Sequence, residues 1–268
     1  MTDDLLRQLD AARERVRAAL ADAPALAAFP AGLERLARER SIGASPSPSE
    51  VARRIDHTLL RADATRADVL RLCDEARAHT FASVCVNSSW VPACVERLAG
   101  SGVMTICVVG FPLGAASMAG KAAETAAAVA AGAEEIDTVV PLGLLKGGEL
   151  AAVAADLRAV TVAAAGRPVK VILETHLLDT AQKIEACLLA VHAGATFVKT
   201  STGFSGGAAT ADDVALLRAV VGPELGVKAS GGVRTLDDAR RMLAAGADRI
   251  GASASVAIAT GAVGGGGY

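Results

Sequence analysis

Three lysines recur in one local setting: Lys170 in PVKVILE, Lys199 in FVKTST and Lys228 in GVKASGG. Each follows a valine in a short apolar run, and successive members are 29 residues apart. Even spacing of this kind is expected to set them at similar heights on neighbouring strands. A lysine on the outward face of a helix-covered strand would be buried without water, so an inward face near an open mouth is the expected home of at least two of them. Crowded ammonium groups disfavour one another's charge, and burial does so again. Together these effects bring a lysine from about 10.4 down to about 7–8, leaving free amine at neutral pH. A neutral amine adds to a carbonyl to give a Schiff base, whose protonated form is an electron sink beside which a carbon–carbon bond can break or form. A second lysine that keeps its charge lowers the basicity of the first. Asp137, in the preceding apolar run EIDTVV, supplies a carboxylate able to pass protons between water and an intermediate. Acid, base and electrophile are thus present without a metal or other cofactor.

Glycine clusters follow the same runs. STGFSGG (201–207) comes after Lys199, SGGVR (230–234) after Lys228, and GAS (251–253) closes the last run. Such loops turn backbone N–H groups toward an anion, and three of them around a lysine cluster suggest a phosphorylated substrate over plain tight turns. Asp56 and Thr58 in IDHTLL alternate onto one face, where they hold a substrate hydroxyl or satisfy each other. Glu174 ends the run of Lys170 and is expected to pair with a lysine. Cys85, in mid-run, suits a packed thiol better than a nucleophile. His57, His79, His176 and His192 show no metal-ligand spacing and are read mostly as helix or loop surface, which disfavours a divalent-metal aldolase.

The elements that must carry these residues are legible as a rhythm. Short β-branched runs occupy 55–60, 83–87, 105–110, 135–140, 169–175, 197–202, 226–232 and 249–253, separated by Ala/Leu/Arg-rich stretches with helical spacing. Alternating strand and helix implies right-handed βαβ units and a parallel sheet. Eight such units predict an α/β fold of the closed (β/α)8 barrel type, the TIM barrel. An open doubly wound sheet is the alternative, but no G-x-G-x-x-G follows the first run. The motif A-G-A-x-x-aliphatic recurs as AGAEEI, AGATFV and AGADRI, each glycine suited to end a helix and each final aliphatic followed by Asp137, Lys199 or Gly251.

Residues 1–44 show a separate helical pattern: Leu5, Leu9, Ala12, Val16 and Leu20, then GLERLARER. Its arginines alternate with acids, which fits a solvated face or packing on a partner subunit better than nucleic-acid binding. SPSPS (45–49) suits a linker. The expected layout is a helical extension and linker over 1–48, the barrel over 49–260 and a flexible tail over 261–268. That tail ends in GGGGY and carries the one tyrosine of the chain, Tyr268.

Bulk properties agree. Hydrophobic residues make up 52% and aromatics 3% of 268 residues, so the core is Ala, Val, Leu and Ile, as in helix-covered parallel strands. A net charge of −2 gives no call for nucleic acid or an anionic membrane. Five cysteines without a C-x-x-C pair suit reduced, buried thiols. MTDDLLRQLD has no apolar signal core, and the uncharged stretch from Leu98 to Gly120 is broken by five glycines and Pro112 into loop, strand and loop. A cytoplasmic protein is expected, with a homodimer as its assembly because symmetric dimers are the commonest.

The segments IDHTLL, ASVCVNSSWVP, GFPLGA, EIDTVV, VKVILET, FVKTSTGFS, GVKASGGVRT and RIGAS run in order from about 51 to 260. In them the sequence resembles the deoxyribose-phosphate aldolases, class I aldolases on a (β/α)8 barrel. The resemblance implies reversible cleavage of 2-deoxy-D-ribose 5-phosphate to D-glyceraldehyde 3-phosphate and acetaldehyde. It implies that Lys199 carries the Schiff base, that Lys228 perturbs it and aids proton transfer, and that Asp137 is the proton-relay carboxylate. Asp56, Thr58, Cys85 and Lys170 are expected to line the substrate site, and the resemblance sets Gly203, Gly231, Gly232, Gly251 and Ser253 on phosphate-loop positions. Some members end in a mobile tail whose terminal tyrosine assists proton abstraction, which gives GGGGY a reading as a tether for Tyr268. Two departures stand out: Ser253 is followed by Ala254 before Ser255, where the family often has adjacent serines, and the N-terminal segment is longer than in many members. Rival readings are another Schiff-base barrel enzyme such as a transaldolase, discriminated by its donor, and a silent barrel that binds a sugar phosphate without turnover.

Overall fold

Each of the eight β-branched runs forms a strand. The computed structural model describes residues 3–20 and 46–261; GLERLARER and the tail with Tyr268 lie outside the described residues. The strands are β1 (Ile55–Leu59), β2 (Ser83–Asn87), β3 (Met104–Val109), β4 (Glu135–Val139), β5 (Val169–Ile172), β6 (Phe197–Lys199), β7 (Gly226–Ser230) and β8 (Arg249–Ala252). All neighbours are parallel and β8 pairs back onto β1, so the sheet closes into a barrel in sequence order. β5 and β6 stop up to three residues short of the sequence expectation. The chain leaves the ladder there because Glu174 adopts a left-handed conformation (φ 57°) and its carboxylate takes up the backbone of the next loop.

Strand alternation sorts the side chains onto two faces. Val84, Val86, Cys107, Ile136, Val171, Val198, Val227 and Ile250 join one large apolar layer between sheet and helices. The intervening positions, including Asp56, Cys85, Asp137, Lys170, Lys199 and Lys228, fill the barrel. At the glycine of each A-G-A repeat the preceding helix ends alike. Gly132, Gly194 and Gly246 have φ of 103°, 82° and 111°, and the next residue's N–H donates back to Ala128, Ala190 and Met242 at 3.0 Å. This is the Schellman closure, which needs a left-handed residue. It hands the chain to β4, β6 and β8 in one register, so Asp137, Lys199 and Gly251 all enter the barrel.

The N-terminal helix α1 (Asp3–Ala19) keeps its charged face in solvent and packs its apolar face within the chain. Leu9 and Ala12 pack on Ile184 of the helix Thr180–His192, and Arg15 Nε donates to Glu185 at 2.5 Å. The amphipathic stripe is satisfied within the chain. The linker reading of SPSPS also needs correction. Ser47 caps a short helix, Pro48–Ala52, accepting from the Glu50 N–H while the Glu50 side chain accepts from the Ser47 N–H. Ser-Pro followed by Glu is a helix start: the capping box satisfies free N–H groups and proline loses nothing at the first position. Among the described residues no helix is long and apolar enough to cross a membrane.

Candidate active site

The barrel interior has an apolar wall and an ionic wall. Leu60, Cys85, Ile106 and Val108 cluster on the side of β1–β3, with Phe111 against them. Burial pushes the Cys85 thiol up to about 11, in keeping with an unreactive packed group.

The ionic wall is organised around Asp137. Its Oδ1 accepts from Lys170 Nζ at 2.9 Å; its Oδ2 accepts from Lys199 Nζ at 3.0 Å and Lys228 Nζ at 2.8 Å. Lys170 also donates to Glu135 at 2.5 Å. Lys228 lies 2.6 Å from Asp56 Oδ2, an ion-pair contact outside hydrogen-bond direction. Asp56 Oδ1 accepts from Ser83 Oγ and Arg249 Nη1, both at 2.7 Å. Four basic side chains therefore meet three carboxyl groups. Lys170 and Lys228 each touch two of the carboxyls, whereas Lys199 touches one. Lys170 and Lys228 are completely buried, and Lys199 keeps 3% exposure.

The electrostatics follow from those contacts. Burial lowers the basicity of Lys199, the Lys228 charge lowers it further, and Asp137 restores only part, so Lys199 lies below the usual lysine value. Burial works against charge at Lys228 as well, but Asp137 and Asp56 outweigh it and hold the ammonium well above the usual value. Lys170 is raised in the same way by Asp137 and Glu135. For Asp137, burial opposes ionisation, yet the three lysines hold the carboxyl well below the usual carboxylate range. One amine is thus driven toward its nucleophilic form between groups that keep their charges.

Even spacing does not put all three lysines at one level. Lys199 pairs directly with Lys228, but Lys199 faces Ile172 and Lys170 faces Phe197, so Lys170 enters one side-chain layer earlier. Tilted strands close a barrel only with a stagger, and equal sequence intervals do not translate into equal registers. The Lys170 ammonium and the Arg249 guanidinium instead flank the Phe197 ring, at 5.5 and 5.9 Å from its centroid. A Cβ at Gly226 would meet that ring at 2.1 Å, which is why β7 begins with glycine.

Glu135, Arg249 and Ser83 were not singled out from sequence. The signal existed: Glu135 stands two residues before Asp137 and Arg249 two before Gly251, on the same faces. Thr58 is occupied locally, its hydroxyl donating to the Asp56 main-chain oxygen at 2.8 Å. Glu174 meets no lysine. It accepts from the Thr202 N–H at 3.2 Å, the Thr202 hydroxyl at 2.5 Å and the Ser205 hydroxyl at 2.9 Å. The β6 loop is near enough to claim the carboxylate first. His57 is buried in β1 with Nε2 2.7 Å from Glu75 Oε2, not on the surface. Among the described residues, no three His, Cys, Asp or Glu side chains gather as metal ligands would.

Beside the lysines, a cleft of about 320 Å³ opens between the loops after β6, β7 and β8. Gly203, Gly232, Gly251 and Ser253 line it; Gly231 adjoins it. Gly206, Gly207, Val233 and Arg234 of the two glycine-rich loops line it too, with Ala208 just beyond the first loop. Arg234 sets an exposed guanidinium at the rim, in character with an anionic group. Backbone conformation excludes larger residues here: Gly203, Gly231 and Gly232 have φ of 84°, 90° and 74°. A Cβ at Gly207 would meet the His176 ring at 1.9 Å.

Residues 51–265 match the model of the DeoC/LacD family aldolases. The chain is 56% identical over 176 residues to a deoxyribose-phosphate aldolase of Brevibacillus brevis, spanning 66% of this chain and 80% of that protein. It is 53% identical over 214 residues to one of Streptococcus equi subsp. zooepidemicus, spanning 80% and 97%. The tetrameric structure of a deoxyribose phosphate aldolase from Aeropyrum pernix superposes with a TM-score of 0.75 at 34% identity, over 86% of this chain and 97% of that one.

Proposed function

The chain belongs to the DeoC/LacD family of aldolases, and from that premise we propose that it is a deoxyribose-phosphate aldolase whose Schiff base forms on Lys199. The observation that carries the assignment is the asymmetry around Asp137: of three lysines sharing one carboxylate, only Lys199 is pushed toward the neutral amine and keeps any exposure.

In the cleavage direction the Lys199 amine attacks C1 of open-chain 2-deoxy-D-ribose 5-phosphate, and loss of water leaves the iminium. The C3 hydroxyl then gives up its proton while the C2–C3 bonding pair moves to form the C1–C2 double bond of an enamine. D-glyceraldehyde 3-phosphate departs. Protonation of the enamine at C2 and hydrolysis of the resulting iminium release acetaldehyde and return the amine. Asp137, within hydrogen-bond reach of Lys199 and Lys228, relays the protons. Lys228 keeps its charge and so depresses the basicity of Lys199. Asp56, itself held by Arg249, pairs with Lys228, and Lys170 with Glu135 fixes the second oxygen of Asp137. The cleft with Arg234 at its rim takes the phosphate through loop N–H groups. Tyr268 serves the reaction as a proton-transfer group, and the assembly is a homodimer, measurable by light scattering.

Borohydride trapping with acetaldehyde, followed by peptide mapping, tests the assignment. A reduced adduct on Lys199, lost in Lys199→Leu, is expected. A folded protein with no adduct on any lysine would turn the reading to a barrel that binds sugar phosphate without turnover.

A further inference from the structure

Above the two paired lysines lie two serines in the same relation. Ser201 follows Lys199 by two residues and Ser230 follows Lys228 by two, and Lys199 and Lys228 are direct cross-strand partners. Ser230 closes β7 on the face of Lys228, one layer nearer the mouth. Ser201 lies just past the end of β6, next to Thr200, whose N–H donates to the Lys228 carbonyl and whose hydroxyl accepts from the Ser230 N–H. Both are buried, at 0% and 2% exposure, and neither hydroxyl has a hydrogen-bond partner among the described residues. Leaving a buried hydroxyl unpaired is costly, and such groups call for a partner.

The surroundings say where that partner sits. The Ser230 backbone is already committed: its N–H donates to Thr200 Oγ1 and its carbonyl accepts from that hydroxyl, both at 3.0 Å. Its side chain is the part left over. A Cβ added to Gly251 would lie 2.1 Å from Ser230 Oγ and 2.9 Å from Lys228 Cε, so hydroxyl, lysine stem and cleft-lining glycine border one spot. Ser201 adjoins Gly231, where a Cβ would come within 3.5 Å of the Ser201 Cβ. The serines therefore bridge the amine layer and the anion cleft. Of the other unpartnered hydroxyls, Thr138 belongs to the opposite alternation of β4, that of Ile136 in the outer layer, and Thr175 lies in the turn after β5, so neither shares this position.

We propose that Ser201 and Ser230 bind the hydroxyl of the substrate that lies between the bond-breaking carbons and the phosphate, the C4 hydroxyl of the sugar, and so select acceptors hydroxylated at C2. The inference rests on the Schiff-base reading above, since that fixes C1 at Lys199 and directs the chain toward the cleft.

The test compares two acceptors in the synthetic direction with acetaldehyde as donor: D-glyceraldehyde 3-phosphate, and 3-oxopropyl phosphate, which lacks only the C2 hydroxyl. Ser201→Ala, Ser230→Ala and the double variant are measured against the unmodified protein. The expected result is a loss of about tenfold in kcat/KM for the hydroxylated acceptor in the double variant, with the deoxy acceptor unchanged. Borohydride trapping on Lys199 should persist, and the thermal midpoint should stay level or rise, because an unpaired hydroxyl is being removed. Equal losses with both acceptors, an unchanged preference, or a lowered midpoint in the single variants would overturn the proposal. An adduct that forms normally beside an unchanged preference overturns this proposal alone. No adduct in the unmodified protein overturns the Schiff-base reading and this proposal with it.

Discussion

Lys199 and Lys228 face each other across the β6–β7 ladder and donate to the same oxygen, Asp137 Oδ2, at 3.0 and 2.8 Å, yet their basicities are driven in opposite directions. The difference is Asp56, which touches Lys228 and not Lys199. A second carboxylate secures the charge of one amine, and that charge then suppresses the charge of its neighbour.

Removing Lys228 should therefore release Lys199. In Lys228→Met the nearest positive charge is gone and Asp137 Oδ2 is left to Lys199, Lys170 keeping Oδ1, so the basicity of Lys199 rises toward the ordinary lysine value. Adduct formation with acetaldehyde needs the neutral amine, so its acid limb should move to higher pH. At pH 7 trapping should slow by about 10²-fold or more. A pH profile of trapping rate checks this; an unmoved limb would remove Lys228 from the tuning of Lys199.

The buried carboxylates set the acid limit of stability. Asp137 and Asp56 are lowered in the fold, so they stabilise it above the unfolded carboxylate value of about 3.9 and lose that contribution as pH falls below it. Lys170 and Lys228 are raised, so their contribution is complete below about 10.4 and declines only as pH climbs past that value. Urea midpoints should fall as pH drops through the carboxylate range, while Lys199, lowered in the fold, adds a rise in stability as pH climbs toward about 10.4. Asp137→Asn should cost about 3–5 kcal/mol at pH 7, because three buried lysines lose their common partner, and its midpoint should vary less with acid.

Gly251→Ala tests the junction of the two subsites. The new methyl would sit 2.1 Å from Ser230 Oγ and 2.9 Å from Lys228 Cε, so both must shift. KM for 2-deoxyribose 5-phosphate is expected to rise at least about tenfold. Acetaldehyde trapping on Lys199, which needs no phosphate, should fall much less. Equal damage to both would place the glycine's role in folding.

Deleting Tyr268 tests the tail. Exchange of the acetaldehyde methyl protons with deuterated water should slow, while borohydride adduct formation on Lys199 survives. Unchanged exchange would remove the phenol from the reaction.

Much of this protein was determined by the sequence alone. β-branched runs with glycine-closed helices between them have one economical closure, and the A-G-A repeats fix Asp137, Lys199 and Gly251 on inward faces because a Schellman turn leaves a fixed number of residues before the next strand. The lysine spacing and the glycine loops after the last three strands were legible for the same reason: they are local patterns repeated in a periodic fold. Other features were decided only in three dimensions. The stagger of a closed barrel set Lys170 one layer from its fellows and brought Arg249 and Glu135 onto Phe197 and Lys170. Glu174 was taken by the loop after β6 instead of by a lysine, and α1 found its partner on a helix about 170 positions away in the chain. The choice of Lys199 as the weak base also belongs to this class. Its setting comes from burial and from Lys228 and Asp137, on strands far apart in sequence, with Asp56 acting through Lys228, and Coulomb interactions depend on separation in space.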